Sequence, residues 1–402
     1  MQPIDRVQLV TRRAVLRGAI AGAGTLAVSR WLGPLRALAS QPSGAAARWE
    51  LGNADANGVR LPAGFTSRIV ARSGKRPVSS SPYAWHASPD GGACFPTDDG
   101  GWVYASNSEL PHGGGGAGAL RFNASGELVD AYRLLDKTTL NCAGTRTPWG
   151  TWLSCEEHKK GRVWECDPLG RTPAIVRPAL GTFTHEDAAV DPRNGRVYLT
   201  EDSPDGHFYR FTPARPADAG RLDLSEGALE VSEVIGGRQE GTLRWHVVPD
   251  PSAATTPTAR QVPASTEFPG SEGLVWHDGT LYFSTKFDNR IWAYDTAAES
   301  VRILYDEDRH PEPLLTGVDN VTVSPTGEVL VAEDGGDMQI VAITASGELY
   351  PILQVEGHLG SEIAGPAFDP SATRLYFSSQ RGPIGLLNSG ITFEVTGPFK
   401  TT

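Results

Sequence analysis

Carboxylates and thiols recur along this chain in short clusters, each at the foot of an apolar run. The densest stretch is Thr184 to Asp202, where His185, Glu186 and Asp187 precede one run and Glu201 and Asp202 follow another. Between them Ala188, Val190, Val197 and Leu199 alternate around an Asn194-Gly195 turn, the pattern of a β-hairpin. A hairpin returns the chain to its start, so Glu186 and Asp187 must meet Glu201 and Asp202 at one open end. Like charges held that close are costly unless a cation sits among them. The chemistry this spacing suits is metal binding.

The same unit repeats. Glu272-Gly273 leads through His277-Asp278-Gly279 back to Lys286 and Asp288, and Asp319-Asn320 leads through the turn at 324–327 back to Glu333-Asp334. Asn141-Cys142 leads through Thr147-Pro148-Trp149-Gly150 back to Cys155-Glu156-Glu157. Weaker copies run from Cys94 to Glu109 and from Glu362 to Gln380-Arg381. Further strand-like runs, such as Arg290 to Tyr294 and Gln339 to Ile343, flank these hairpins. Self-similar β units a few tens of residues apart are the mark of radially arranged sheets. We therefore expect an all-β fold, a six-bladed β-propeller whose hairpin open ends crowd around one mouth of a central channel and form a metal site there.

Four cysteines, Cys94, Cys142, Cys155 and Cys166, suit up to two disulfides in an exported protein. Cys142 and Cys155, however, stand where other repeats carry Glu or Asp, so a thiolate ligand for iron or zinc is the competing reading. Cys155 is the first candidate because two carboxylates follow it. Export is expected from the N-terminus: Arg12-Arg13, an apolar stretch from Ala19 to Val28, and Ala37-Leu38-Ala39 form a twin-arginine signal peptide over 1–39. A linker over 40–48 and a single propeller domain over 49–402 would follow, leaving a periplasmic or extracellular protein with no stable membrane insertion, expected to be a monomer. A net charge of −11 and the lack of a basic run interleaved with aromatics exclude nucleic acid as partner. No pattern of a serine hydrolase, zincin or phosphate-binding loop is present.

Asn141-Cys-Ala-Gly-Thr-Arg-Thr-Pro-Trp-Gly-Thr-Trp-Leu-Ser-Cys-Glu-Glu157 resembles the signature of the PhoX family of secreted bacterial alkaline phosphatases. So do Ala179 to Glu186, Ser106 to Glu109, Glu272-Gly273 and Val331 to Asp334. The resemblance implies a six-bladed propeller with iron and calcium as cofactors, hydrolysing phosphomonoesters and, in some members, diesters. It further implies that Cys155, Glu156, Glu186 and Glu272 hold the iron. Glu109, Glu157, Glu201, Asp202, Asp319, Asn320, Glu333 and Asp334 are then the pool of calcium ligands. Thiolate with carboxylates suits iron, and hard oxygens from several loops suit calcium. The family places Arg-Pro before the Glu matching Glu272, where this chain has Gly270-Ser271. Arg381, Lys286 or Arg146 is expected to grip the substrate phosphate instead, and Glu186, Glu272 and Arg381 are the expected catalytic residues.

Two other readings fit the clusters. A calcium-dependent propeller lactonase of the gluconolactonase type would use Asp319-Asn320 and the turn that follows, with no need of Cys155. A non-catalytic, metal-stabilised propeller would bind a partner over a sealed channel mouth.

Overall fold

The computed structural model describes residues 49–400, apart from 217, 237, 238, 311 and 312. The expected signal peptide lies outside the described residues. Among those described, helix is confined to short 3-10 turns, and the remainder is an all-β, propeller-like array of antiparallel sheets. Among the described residues no helix is long and apolar enough to cross a membrane.

Each expected hairpin forms. In chain order they pair Pro89–Pro96 with Trp102–Ser108, Asn141–Arg146 with Trp152–Glu156, and His185–Asp191 with Arg196–Glu201. Ser271–His277 then pairs with Thr280–Thr285, Val318–Val323 with Val329–Glu333, and Ile363–Phe368 with Arg374–Ser379. Outer strands extend every hairpin into a sheet of at least four strands. The third and fourth hairpins belong to one nine-stranded sheet, joined where Gly241–Val247 meets Ser300–Asp306. The last sheet takes its outer strand from the other end of the chain, because Thr66–Arg72 pairs with Ile391–Thr396. The first strands of successive hairpins pack on one another, and Ile363–Phe368 packs back on Pro89–Pro96, so the hairpins close a ring.

Aromatic side chains weld the sheets. Within the nine-stranded sheet Phe208, beside the third hairpin, stacks on Phe283 of the fourth at 4.7 Å, and Phe122 of the first sheet meets Tyr376 of the last at 5.1 Å.

A β-bulge interrupts every hairpin just inside its open end, between Pro89 and Gly92, Asn141 and Gly144, His185 and Ala188, Ser271 and Leu274, Val318 and Val321, and Ala364 and Ala367. A bulge bends its strand and re-aims a side chain. In all but the last hairpin, the first bulged residue is a ligand type: Asp90, Cys142, Glu186, Glu272 and Asp319. The residue just past each second strand supplies another set: Glu109, Glu157, Asp202, Lys286, Asp334 and Gln380.

Neighbouring hairpins lock these bulges in place. Asn107 Nδ2 donates to the Cys142 and Ala143 carbonyls at 3.1 and 2.8 Å, Thr200 Oγ1 to the Glu272 carbonyl at 2.6 Å, and Ser284 Oγ to the Asp319 carbonyl at 2.5 Å. Asp187 accepts from Leu274 N at 2.7 Å, and Asn320 Oδ1 from Gly365 N at 2.7 Å. The approach is so close that a Cβ on Gly273 would lie 2.6 Å from the Asn320 Cα. Glycine is required there by packing.

One boundary differs from expectation. The first hairpin opens at Pro89, and Cys94 lies within the strand opposite Tyr104, buried in the core. The glycines that follow Asp90 serve packing: a Cβ on Gly91 would lie 2.5 Å from the Ala143 Cα, and one on Gly92 2.6 Å from the Tyr104 hydroxyl.

Candidate metal centre

The bulges and strand ends gather four groups whose ligand atoms lie within 4.8 Å of one another: Cys142, Glu157 and Glu186; Glu186, Glu272 and Asp319; Asp319, Asp334 and Glu362; and Asp90, Glu109 and Glu362. Shared members join them into one belt around the open ends. Among the described residues Lys286 and Arg381 are cations that reach it. Lys286 Nζ lies 2.8 Å from Glu272, 3.4 Å from Asp334 and 3.9 Å from Asp319, and Arg381 Nη2 donates to Glu362 at 2.7 Å. Gln380 Nε2 donates to both Asp90 and Glu109.

Burial lifts Asp90, Glu109, Glu157, Glu186, Glu272, Asp319 and Glu362, and neighbouring carboxylates lift them further. Glu186 is held well above the usual carboxylate range by burial and then by Glu272, Glu157 by burial and then by Glu109, and Asp90 by burial and then by Glu109. Asp319 is pushed up to about 6 by burial, against the pull of Lys286. Burial also pulls the Lys286 ammonium down, but Glu272, Asp319 and Asp334 together push it well above its ordinary value.

The donor set fits bound cations. Glu186 is fully buried, its Oε2 has no hydrogen-bond partner, and its Oε1 receives only Cys142 Sγ at 3.2 Å. A buried carboxylate oxygen with no donor costs roughly 1–3 kcal/mol or more, a cost that a cation removes. Carboxylate oxygens suit a hard cation such as calcium, and a thiol beside carboxylates suits iron.

Of the expected residues, Glu109, Glu157, Glu186, Glu272, Asp319 and Asp334 lie in the belt. Asp202 adjoins it, raising Glu157 and Glu272 by its charge. The others turn away. Cys155 packs among Leu153, Val163, Leu180 and Phe183, and Cys142 is the thiol that reaches the belt. All four thiols are free, so the disulfide reading of the cysteines does not hold. Glu156 accepts from the Thr139 and Arg162 backbone N–H groups at 3.0 and 3.2 Å, Glu333 from those of Thr316 and Gln339 at 2.9 and 3.0 Å, and Glu201 from the Tyr209 hydroxyl at 2.6 Å. Asn320 is the inter-hairpin strut described above.

The reason is register. Glu156, Glu201 and Glu333 pair with Asn141, His185 and Val318 as the last residues of their strands, and a one-residue step reverses the face. Their successors Glu157, Asp202 and Asp334 point to the belt. Asp90 and Glu362 belong to it without having been in the expected ligand pool. Arg146 pairs with Trp152 beside its turn and donates to the Cys94 carbonyl at 3.2 Å, remote from the open ends.

These environments set an expected response to metal removal. Burial pushes Glu201 up to about 8 and Glu333 to about 7, from ordinary values near 4.5. A raised acid contributes stability that is fully present below its unfolded pKa and is lost as pH rises through its folded pKa. Asp90, Glu109, Glu157, Glu186, Glu272, Asp319 and Glu362 shift in the same direction. Protein treated with chelator is therefore expected to melt at a lower temperature at pH 8 than at pH 5, and added calcium should remove the share of that fall that comes from the belt acids. Thermal melts across this range check it; equal melting temperatures at the two pH values after chelation would refute the account.

The chain matches the family model of the alkaline phosphatase PhoX over residues 104–166, 158–302 and 284–382. Among solved structures, Pseudomonas fluorescens PhoX in complex with vanadate, a transition state analogue, is similar at a TM-score of 0.71 and 17% identity, covering 87% of this chain and 98% of that one. A gluconolactonase from Xanthomonas campestris shares 16% identity at a TM-score of 0.49, covering 89% of this chain and 99% of its own. A regucalcin from Agrobacterium tumefaciens, described as calcium-binding, shares 13% at 0.47, covering 82% and 96%. No curated protein matches the sequence.

Proposed function

Because the chain belongs to the PhoX alkaline phosphatase family, we propose that it is a metal-dependent hydrolase of phosphate esters, monoesters foremost, working at the open end of a six-bladed propeller. In this reading the nine-stranded sheet is two blades joined edge to edge. The observation that carries the proposal is the belt itself, with one thiol, many buried carboxylates, an unpartnered Glu186 oxygen and two cations facing it.

Cys142, Glu186, Glu272 and Glu157 would hold iron, and Asp319, Asp334, Glu362, Asp90 and Glu109 would hold calcium. Bound there, these metals polarise phosphoryl oxygens and offset the charge of the transition state. Lys286 and Arg381 orient the phosphate, and Arg381 brings the planar fork that suits its oxygens. Asn107, Thr200 and Ser284 keep the ligand-bearing backbone from drifting. Asp319, Asp334 and Glu362 form an all-oxygen group, so a calcium-only lactonase is the second reading.

Elemental analysis and ester hydrolysis by the purified protein decide between these. Iron with calcium, together with release of phosphate from an aryl phosphate, upholds the proposal. Calcium alone with lactone hydrolysis overturns it. We further propose export with removal of the signal peptide over 1–39, leaving one domain over 49–402. Changing Arg12 and Arg13 to Lys should leave the protein in the cytoplasmic fraction, and unchanged export would exclude the twin-arginine route.

A further inference from the structure

Next to the belt lies a cavity of about 520 Å³, walled by the ends of the second and third hairpins on one side and by the segment 253–260 on the other. That volume is in the range of a small-molecule pocket. It shares a wall with the belt: Thr184 forms a bridge with Glu157, its carbonyl accepts from Asp202 N at 3.2 Å, and Ser203 directly follows Asp202.

The outer wall is held from several directions. Thr258 Oγ1 donates to the Thr182 carbonyl at 2.9 Å, and Lys160 Nζ donates to the Ala253 carbonyl at 2.7 Å. Gln261 Nε2 spans the segment between the Asp250 and Thr256 carbonyls at 2.8 and 3.0 Å. Fixing a loop of Ala, Thr and Pro in this way produces a preformed cavity, which lowers the ordering cost of filling it.

Its lining is part apolar, with Phe183, Pro204 and Ala254, and its charge is opposite to that of the belt. Lys159, Lys160 and Arg260 line it against Asp205 and Glu201. Glu201 is turned into the wall onto Tyr209, and Asp205 is bound by Ser203 Oγ at 2.6 Å and paired with Arg260 at 3.5 Å. Lys159 is exposed, two residues beyond Glu157. In a protein of net charge −11, a cationic rim beside an acidic metal belt is where an anion on the substrate's far end would settle.

We infer that this cavity receives the leaving alcohol, and that it selects phosphomonoesters whose alcohol carries a second anionic group, a carboxylate or another phosphate. The inference rests on the phosphatase reading. A phosphate held at the belt by Lys286 and Arg381 directs its ester oxygen outward, and the wall shared through Thr184 and Ser203 gives the alcohol its nearest enclosed space. Phe183 and the prolines cover an apolar ring or chain, and Lys159 and Arg260 meet the terminal charge.

The test compares phenyl phosphate with 4-carboxyphenyl phosphate, a pair that differs by one charge at the far end of the alcohol. In the metal-loaded double variant Lys159→Glu with Arg260→Glu, KM for the carboxylated ester should rise about tenfold more than KM for phenyl phosphate, the scale expected for reversing two solvent-facing charges. The parent's preference for the carboxylated ester should fade as salt is added. Equal shifts for the two esters, or none, would show that the cavity does not read the alcohol, and the inference falls while the phosphatase reading stands. Hydrolysis of neither ester by the parent would instead overturn the phosphatase reading, and the pocket with it.

Discussion

Cys142→Ser is expected to strip the protein of iron and of activity together, whereas Cys155→Ser should keep both and lose only stability. Cys142 Sγ lies 3.2 Å from Glu186 and belongs to the group with Glu157 and Glu186. Burial, then Asp90 and Glu186, push its thiol well above the ordinary range, so only a bound cation would hold it as thiolate. A serine there is a poor ligand for iron, and since disturbing even an outer partner of a metal site costs about 10–100-fold, loss of a direct ligand should cost at least about a hundredfold in turnover. Cys155 is wholly buried in an apolar cluster. A hydroxyl there finds no ready partner, at a cost of roughly 1–3 kcal/mol, which thermal melts will register. Iron content, the visible spectrum and phosphate release measured on both variants check this. Retention of iron by Cys142→Ser, or its loss from Cys155→Ser, would return Cys155 to the metal.

The contrast between these thiols shows where sequence reading stops. Turn chemistry and apolar alternation are local, so the hairpin around Asn194-Gly195 and its relatives were legible with their open ends. Which of two adjacent residues faces the belt depends on a bulge, and a bulge is set by the neighbouring hairpin. Glu156 and Glu157 look alike in the sequence. Pairing with Asn141 turns the first outward to the Thr139 and Arg162 backbone, and the second inward.

Asp90 was missed because the first hairpin was taken to open at Cys94, whereas its strand begins at Pro89. Its signal was nonetheless present, since Asp90-Gly91 matches Glu272-Gly273, an acid followed by a residue small enough for the next hairpin to approach. The last hairpin breaks the pattern for a physical reason. There Ile363 and Ala364 both pair, with Ser379 and Ser378, so the bulge falls one residue deeper and the acid comes from Glu362, just ahead of the strand. Closure of the ring by Thr66–Arg72 was illegible because its partner lies at the far end of the chain.

Removing the two cations of the belt should damage substrate binding more than turnover. Lys286 stands at the position where other hairpins carry Glu109, Glu157, Asp202 and Asp334, and it faces Glu272, Asp319 and Asp334. The chain has no room for a guanidinium where the family carries one. Ser271 is fully buried, with its Oγ accepting from Glu201 N at 3.0 Å, and Gly270 has φ of +61° with a Cβ position 3.1 Å from the Phe287 ring. In the proposed reading the positive charge would come instead from Lys286 at the opposite strand end and from Arg381 of the last hairpin. A charged hydrogen bond contributes about 1.5–3 kcal/mol, so Lys286→Met and Arg381→Ala should each raise KM for an aryl phosphate about tenfold to a hundredfold. Lys286 also faces Asp334, which groups with Glu362, and both side chains would meet the same phosphate, so the effects should depart from additivity in free energy in the double variant. Lys286→Arg keeps the charge and should recover most of the loss, which separates phosphate binding from simple disruption of a buried ion pair. Inhibition by inorganic phosphate reports binding without turnover and should weaken in step with KM. If KM and phosphate inhibition stay at parent values in both single variants, the metals alone hold the phosphate, and Lys286 serves only to neutralise Glu272, Asp319 and Asp334.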